Sequence, residues 1–177
     1  MIAGSLGGRR LKAPPGRGTR PTSDRVREAI FSILGELDGE RVLDLFAGTG
    51  ALGIEALSRG AASAVFVERD ARAAGILHEN LSALGLGREC AEIRRSDALA
   101  ALRTAAERDE LYDLILIDPP YGDAPRLGGK LSALLPALLA PNARLVAESD
   151  RRGALELEAP ILTERRYGDT SITIHSG

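Results

Sequence analysis

The chain has 177 residues, 44% of them hydrophobic, and a net charge of −2, which suits one domain with a sizeable core and excludes global disorder. No apolar run reaches the roughly 18 residues of a membrane span, and Met1 to Arg20 is basic and Gly-rich without the apolar stretch of a secretory signal. Cys90 is the single cysteine, so no internal disulfide forms; no Cys/His cluster has zinc spacing, and a reducing cytoplasm is the expected compartment.

Charge is unevenly spread. Residues 1–30 hold seven bases (Arg9, Arg10, Lys12, Arg17, Arg20, Arg25, Arg27) and two acids (Asp24, Glu28), giving +5 against −7 for the remainder. Such asymmetry suits a patch for a polyanion or a solvated basic tail. Ile2 to Gly4 and Arg9 to Ala13 read as two short strands around Gly7-Gly8, and Pro14 to Gly18 as a loop. Thr22-Ser23-Asp24 supplies helix-capping oxygens. Val26, Ala29, Ile30, Ile33, Leu34 and Leu37 then recur at helical spacing, so a helix is expected to run to about Leu37. Arg20, Arg25 and Arg27 fall at its N-terminus, beside partial positive charge suited to a phosphate or carboxylate.

From Arg41 onward strand and helix alternate. Strands are expected near Arg41–Leu45, Ala64–Val67, Ala91–Arg94, Tyr112–Ile117 and Ala143–Glu148, with helices near Ala51–Arg59, Ala71–Leu84, Ala98–Glu107 and Leu127–Leu139. Runs such as Leu114-Ile115-Leu116-Ile117 are continuously apolar, as in a parallel sheet covered on both faces. The fold class is therefore α/β, a Rossmann-like, mostly parallel, doubly wound sheet with a short N-terminal β/helix extension. Ile161–Tyr167 and Thr170–His175 around Gly168-Asp169 read as a closing antiparallel hairpin at one edge of the sheet. The division expected is a basic extension over residues 1–38 and one domain over 39–177.

In an open parallel sheet the ligand lies beyond the C-terminal strand ends. Asp44 to Gly50, Glu68, Asp97 and Asp118 to Tyr121 fall at four such ends and should share one crevice. Gly48, Gly50 and Gly53 also satisfy G-x-G-x-x-G, with Glu68 twenty positions beyond Gly48, which keeps a nicotinamide dinucleotide as a rival ligand. Asp44, just before the loop, separates the two. A carboxylate there opposes a pyrophosphate and welcomes a cationic ligand such as S-adenosylmethionine (SAM), which carries an ammonium and a sulfonium. Glu68 can accept hydrogen bonds from two ribose hydroxyls. Asp97 is either an acceptor for an adenine amino group or, with Ser96, the N-cap of the next helix.

Asp118-Pro119-Pro120-Tyr121 ends a buried strand with a carboxylate, two rigid residues and an aromatic ring. Amine methylation needs that set. Asp118 and the Pro119 carbonyl can hold the two N–H groups of a poorly nucleophilic exocyclic amine and aim its lone pair, while Tyr121 stacks on the base. The chemistry needs no metal, because a sulfonium already activates the methyl. The plainer alternative is a turn opened by Asp-Pro.

Asp44–Gly50 followed by Asp118–Tyr121 resembles the class I SAM-dependent amino-methyltransferases. Thr19–Phe31, Leu43–Gly60 and the ending Tyr167-Gly168-Asp169-Thr170 are more particular. Together they resemble the bacterial family that methylates N2 of one guanine in 16S ribosomal RNA, small-subunit methyltransferase D type. The resemblance covers nearly the whole chain. It implies SAM contacts at Asp44, Phe46, Ala47, Gly48, Thr49, Gly50, Glu68 and Asp97, and catalysis at Asp118, Pro119, Pro120 and Tyr121. It implies target contacts from Arg20, Thr22 and Arg25, with Arg9, Arg10, Lys12 and Arg17 on the RNA backbone. The implied partner is 16S rRNA within an assembling or assembled small subunit, met by a monomer without membrane attachment. Gly7–Leu11 lacks an aromatic residue that some members carry there. A DNA or RNA adenine-N6 or cytosine-N4 methyltransferase remains an alternative, since the same motif serves those amines; so does an RNA-binding ribosome-assembly factor without turnover. Cys90 is expected to be a small core residue, His78 to face solvent, His175 to be structural in the terminal edge strand, and Arg151-Arg152 to lie in a solvated loop.

Overall fold

The structure is a computed structural model that describes residues 3–13, 24–120, 122–150 and 153–177. Its elements, in chain order, are α1 (Asp24–Leu34), β1 (Arg41–Asp44), α2 (Ala51–Ser58), β2 (Ser63–Val67), α3 (Ala71–Leu84), β3 (Ala91–Arg94), α4 (Ala98–Glu107), β4 (Tyr112–Ile117), α5 (Ala124–Leu134), a 3-10 turn over Leu135–Leu138, β5 (Leu139–Asp150), β6 (Ile161–Tyr167) and β7 (Thr170–Ser176). The strands form one sheet in the order β3-β2-β1-β4-β5-β7-β6. β1 to β5 run parallel; β7 pairs antiparallel with both β5 and β6.

Strand alternation divides the core in two. Val42, Leu114, Leu116 and Val146 face a cluster filled by Ile30, Phe31 and Leu34 of α1, Ile54 and Leu57 of α2 and Leu77 of α3. Leu43, Ile115, Ile117 and Leu145 face the other side, covered by Ala101 and Leu102 of α4 and Leu131 of α5. Both faces of β1 and β4 are thus dry, which accounts for their unbroken apolar runs. Fully burying one such aliphatic side chain contributes about 1.5–3 kcal/mol. The strand order reverses between β1 and β4, the position where α/β sheets open a crevice for ligand.

Local chemistry sets the helix ends. α3 starts at Asp70, whose Oδ1 accepts from the Ala73 N–H at 2.8 Å, and stops at Gly85, with φ +71°. α1 stops at Gly35, three residues short of the expected end, because that residue turns left-handed and its N–H donates to the Phe31 carbonyl. Leu37 is still fully buried, beyond the helix.

Three expectations are corrected. The described part of the N-terminal segment, residues 3–13, holds bends and turns and no strand. Its polar groups bond to α2 and α3 instead of a neighbouring strand: the Ser5 N–H donates to the Ser58 carbonyl at 2.8 Å, the Leu6 N–H to Ser58 Oγ at 3.0 Å, and the Lys12 N–H to Asn80 Oδ1 at 2.8 Å. Gly4 is held so close that a Cβ there would lie 1.8 Å from the Ser58 carbonyl oxygen. His175 is structural, but its strand is not the edge. β7 lies between β5 and β6, so His175 is buried, with Nδ1 3.0 Å from the Ala159 carbonyl and Nε2 3.1 Å from Thr173 Oγ1. Arg27 does not join a basic surface. It is buried, bonded to Asp24 at 2.7 Å and 3.7 Å from the fully buried Glu55, which also pairs with Arg59 at 2.9 Å. Cys90 is partly buried against the first cluster, and His78 is exposed. Ile2, the Pro14–Gly18 loop, Thr22-Ser23 and Arg151-Arg152 lie outside the described residues. No helix among the described residues is long and apolar enough to cross a membrane.

Candidate active site

The crevice is built from the loops that leave β1, β2, β3 and β4. Asp44 ends β1 and is buried at 1% exposure. Its Oδ2 accepts from the Gly53 N–H at 2.9 Å, while Oδ1 is buried with no hydrogen-bond partner among the described residues. Burial is the main force that pushes its carboxyl up to about 7; the negative charges of Asp118 and Glu68 add to it, and the Gly53 N–H opposes it. Three carboxylates therefore converge here, and one oxygen of the deepest, Asp44 Oδ1, has no donor among the described residues. That is the environment of a site waiting for a cation with N–H groups.

Two of the loop glycines serve close packing within the protein, and the third leaves open space. Gly53, in the first turn of α2, stands where a Cβ would lie 2.4 Å from the Phe66 ring and 3.1 Å from Asp44 Oδ2. Gly50 caps α2 at φ +87°, and a Cβ there would strike Leu77 at 2.4 Å. Gly48 also has positive φ, but its Cβ position meets nothing within 4 Å, so the loop faces open space at that point. Ala47 ties the loop down, its N–H donating to the Val67 carbonyl at 3.0 Å and its own carbonyl accepting from Gly50 at 2.7 Å. Phe46 packs half-buried against the second core cluster.

Glu68 follows β2. Its Oε2 accepts from the Gly48 N–H at 2.8 Å and its Oε1 from the Asp70 N–H at 2.7 Å. Each oxygen keeps a second acceptor site. Glu68 thereby fixes the loop as well as facing the crevice. Asp97 follows β3 and is the N-cap of α4, with Oδ1 accepting from the Leu99 and Ala100 N–H groups. The capping alternative holds for Oδ1. Asp97 is itself exposed, which leaves its second oxygen accessible.

Asp118, Pro119 and Pro120 follow β4. Asp118 is half-buried, Pro119 buried and Pro120 exposed, and the Pro120 carbonyl accepts from the Asp123 N–H at 3.1 Å. Tyr121 lies outside the described residues. Beside Asp118 opens a pocket of about 310 Å³ whose walls include Pro119, Pro120, Glu148, Asp150 and Thr170. It is a pocket of the size that takes a small flat ligand.

Two contributions were not anticipated from the sequence. Asn80, on α3 and 3% exposed, exchanges two hydrogen bonds with the Lys12 backbone (2.8 and 3.1 Å) and donates to the Thr49 carbonyl at 3.0 Å. It joins the N-terminal segment to the glycine loop. Glu148, near the end of β5, shares the pocket with Asp118. Its signal was its place beside the β4 end in the strand order.

Of the residues expected at RNA, Arg9, Arg10 and Arg25 are exposed, Arg25 in the first turn of α1. Lys12 is exposed and paired with Glu79 at 2.8 Å. Arg17, Arg20 and Thr22 lie outside the described residues. The Arg144 guanidinium donates to the Leu34 carbonyl at 2.9 Å, which fixes the C-terminal end of α1 near the start of the parallel stretch of β5.

The sequence profile described as Conserved hypothetical protein 95 matches residues 1–176. YlbH of Bacillus subtilis, named provisionally as an rRNA methyltransferase, is 43% identical over 99% of this chain and 97% of its own length. The Ribosomal RNA small subunit methyltransferase D of Escherichia coli is 40% identical over 68% of this chain and 59% of its own. Among solved structures, YhhF of Escherichia coli, provisionally a methyltransferase, superimposes with a TM-score of 0.85 at 33% identity, covering 99% of this chain and 96% of that one. The chain belongs to the Conserved hypothetical protein 95 family, the small-subunit rRNA methyltransferase D type that its own motifs resemble.

Proposed function

We propose that the protein transfers a methyl group from SAM to the exocyclic N2 of a guanine in 16S rRNA of the small ribosomal subunit. The observation that carries this reading is the buried Asp44 Oδ1, an acceptor without a donor at the β1–β4 opening, together with Asp118 and its pocket at the next strand end. The names of the related proteins support rRNA as the substrate class.

Asp44 would take the ammonium of SAM, Glu68 its ribose hydroxyls, Asp97 its adenine amino group, and the loop from Phe46 to Gly50 its backbone contacts. SAM supplies, when bound, a methyl on a sulfonium sulfur that departs with the C–S electron pair. Asp118 and the Pro119 carbonyl hold the two N–H groups of N2, so that its lone pair points at that methyl. As the N–C bond forms, positive charge grows on N2 and the Asp118 carboxylate stabilises it. The proton then leaves to Asp118 or to water. Tyr121 stacks on the base face, and Arg20, Thr22, Arg25, Arg9, Arg10, Lys12 and Arg17 hold the flanking RNA.

The test uses radiolabelled SAM and small subunits from a strain lacking the protein, with the labelled nucleoside identified after digestion. N2-methylguanosine is expected. N6-methyladenosine or N4-methylcytidine would keep the site and overturn the target. Unlabelled subunits, with SAM bound normally, would point to an assembly factor without turnover.

A further inference from the structure

Three carboxylates, Asp118, Glu148 and Asp150, line the pocket. Asp118 has a role in the reaction proposed above; Glu148 and Asp150 have none. Register places Glu148. In the parallel pair β4–β5, Ile117 pairs with Ala147, so the next residues, Asp118 and Glu148, stand side by side on strands about 4.8 Å apart. Val146 faces the first core cluster, and Glu148, two positions on, leaves the sheet on that same side. Its antiparallel partner Ile172 belongs to that cluster too. Asp44, two positions past Val42, also leaves on that side. Glu148 is 7% exposed and still lines the pocket beside Asp118 and Pro119.

A carboxylate so buried beside a second one needs hydrogen-bond donors and repels acceptors. The nucleobases differ in that respect next to their exocyclic amines. Adenine carries its amine beside N1, a bare acceptor, and cytosine carries its amine beside N3, another acceptor. Guanine alone carries N2 beside a ring N1–H. If Asp118 and the Pro119 carbonyl engage the amine, the ring atom next to it meets the neighbouring wall. A carboxylate there attracts guanine N1–H and repels the lone pair of the other two bases.

We infer that Glu148 is the specificity-determining residue of the acceptor pocket, accepting the N1–H of the target guanine while Asp118 holds N2. The inference rests on the guanine-N2 reading and adds to it the group that selects guanine.

The test compares guanine with 2-aminopurine at the methylated position, in particles reconstituted from synthetic RNA. 2-Aminopurine keeps the amine and replaces N1–H by an acceptor. The wild-type protein should favour guanine by at least about 100-fold in kcat/KM, as sites built around a hydrogen bond do. Glu148→Gln can offer either a carbonyl or an amide N–H, so its preference should shrink to about tenfold or less, with SAM affinity unchanged. A purely structural role would lower both substrates by the same factor, and that result overturns the inference while leaving the guanine-N2 reading intact. Should Glu148→Gln fail to bind SAM, the wild-type comparison decides: equal rates on the two bases overturn the inference. Label on adenine or cytosine with the wild-type protein overturns both readings, and the product nucleoside distinguishes that case.

Discussion

Asp44 carries a charge whose stability depends on what binds it. Its carboxyl stands at about 7 in the folded chain against an ordinary 3.8. The folded protein therefore binds this proton more tightly than the unfolded chain does. The contribution of Asp44 to stability is full below about 4, falls as pH rises toward 7, and is flat above that. An ammonium placed on Oδ1 reverses the preference, because it needs the carboxylate. SAM affinity should then climb about tenfold per pH unit below 7. It should fall again above the α-amino pKa of roughly 7.7–8.0, where the ligand's amino group loses its proton and its charge. Calorimetric titration between pH 5.5 and 9 should show this maximum between 7 and 8, and a flat profile would remove Asp44 from the ammonium site. Asp44→Asn keeps an acceptor for the Gly53 N–H and removes the buried charge. At pH 8 it should melt no lower than the parent and bind SAM at least tenfold more weakly. In the proposed reaction Asp118 differs, because its charge would act on the amine. Asp118→Ala should lose about 10²–10³ in kcat, the scale of removing one preorganised electrostatic partner. Its SAM affinity should change by less than fivefold; turnover near wild type would end its catalytic assignment.

At the scale of elements, the parallel sheet and its crevice were legible because their signals are local. α3 and α4 begin and end where expected, since Asp70 and Asp97 cap them and Gly85 closes the first. β4 and β6 also match, as unbroken or alternating runs between clear turns. Besides α1, two elements have boundaries that moved by three residues or more for physical reasons. α5 starts at Ala124 rather than Leu127 because Pro125 suits the first turn of a helix, and it tightens into a 3-10 turn at Pro136. β5 begins at Leu139, although Pro141 and the positive φ of Asn142 disguise its start as a turn. What stayed hidden depends on distant partners. The spacing of residues 3–13 carries no trace of Ser58 or Asn80, which lie more than fifty positions along the chain. The insertion of β7 ahead of β6 is equally silent, since either strand of the hairpin could pair with β5. Asn80 makes its role measurable. Asn80→Ala breaks three partly buried hydrogen bonds worth about 0.5–1.5 kcal/mol each. A loss of about 2 kcal/mol corresponds to a fall of roughly 4–8 °C in Tm for a chain of this size. SAM affinity should weaken as well, because Thr49 of the glycine loop loses its anchor. A melt unchanged within a degree would show that the tether contributes nothing.

The chain as a whole carries little positive charge for an RNA enzyme, its net charge being −2. Of the seven bases in the first thirty residues, Arg27 is spent on Asp24 and Glu55, and Lys12 is paired with Glu79. Even with all five other bases on phosphate the contacts would be few, and the rest of the chain is net negative. Release of counterions by about four or five phosphate contacts gives a salt slope near −3 on single-stranded RNA, too shallow for tight binding to bare RNA at physiological salt. Affinity must then come from shape, which a folded particle offers and a free RNA chain does not. The N-terminal segment is bonded to α2 and α3 through Ser58 and Asn80, and Arg9, Arg10 and Arg25 are exposed, which suits the proposed RNA contacts. Methylation of small subunits should therefore exceed that of protein-free 16S rRNA by at least tenfold in kcat/KM at 150 mM salt. The advantage should narrow as salt falls and electrostatic attraction to bare RNA strengthens. Gly4→Ala sharpens the comparison. The added methyl cannot fit against the Ser58 carbonyl, so the segment must lift from α2. The particle preference should fall while SAM affinity holds. Faster methylation of protein-free RNA by the wild-type protein would show instead that the RNA chain alone supplies the recognition.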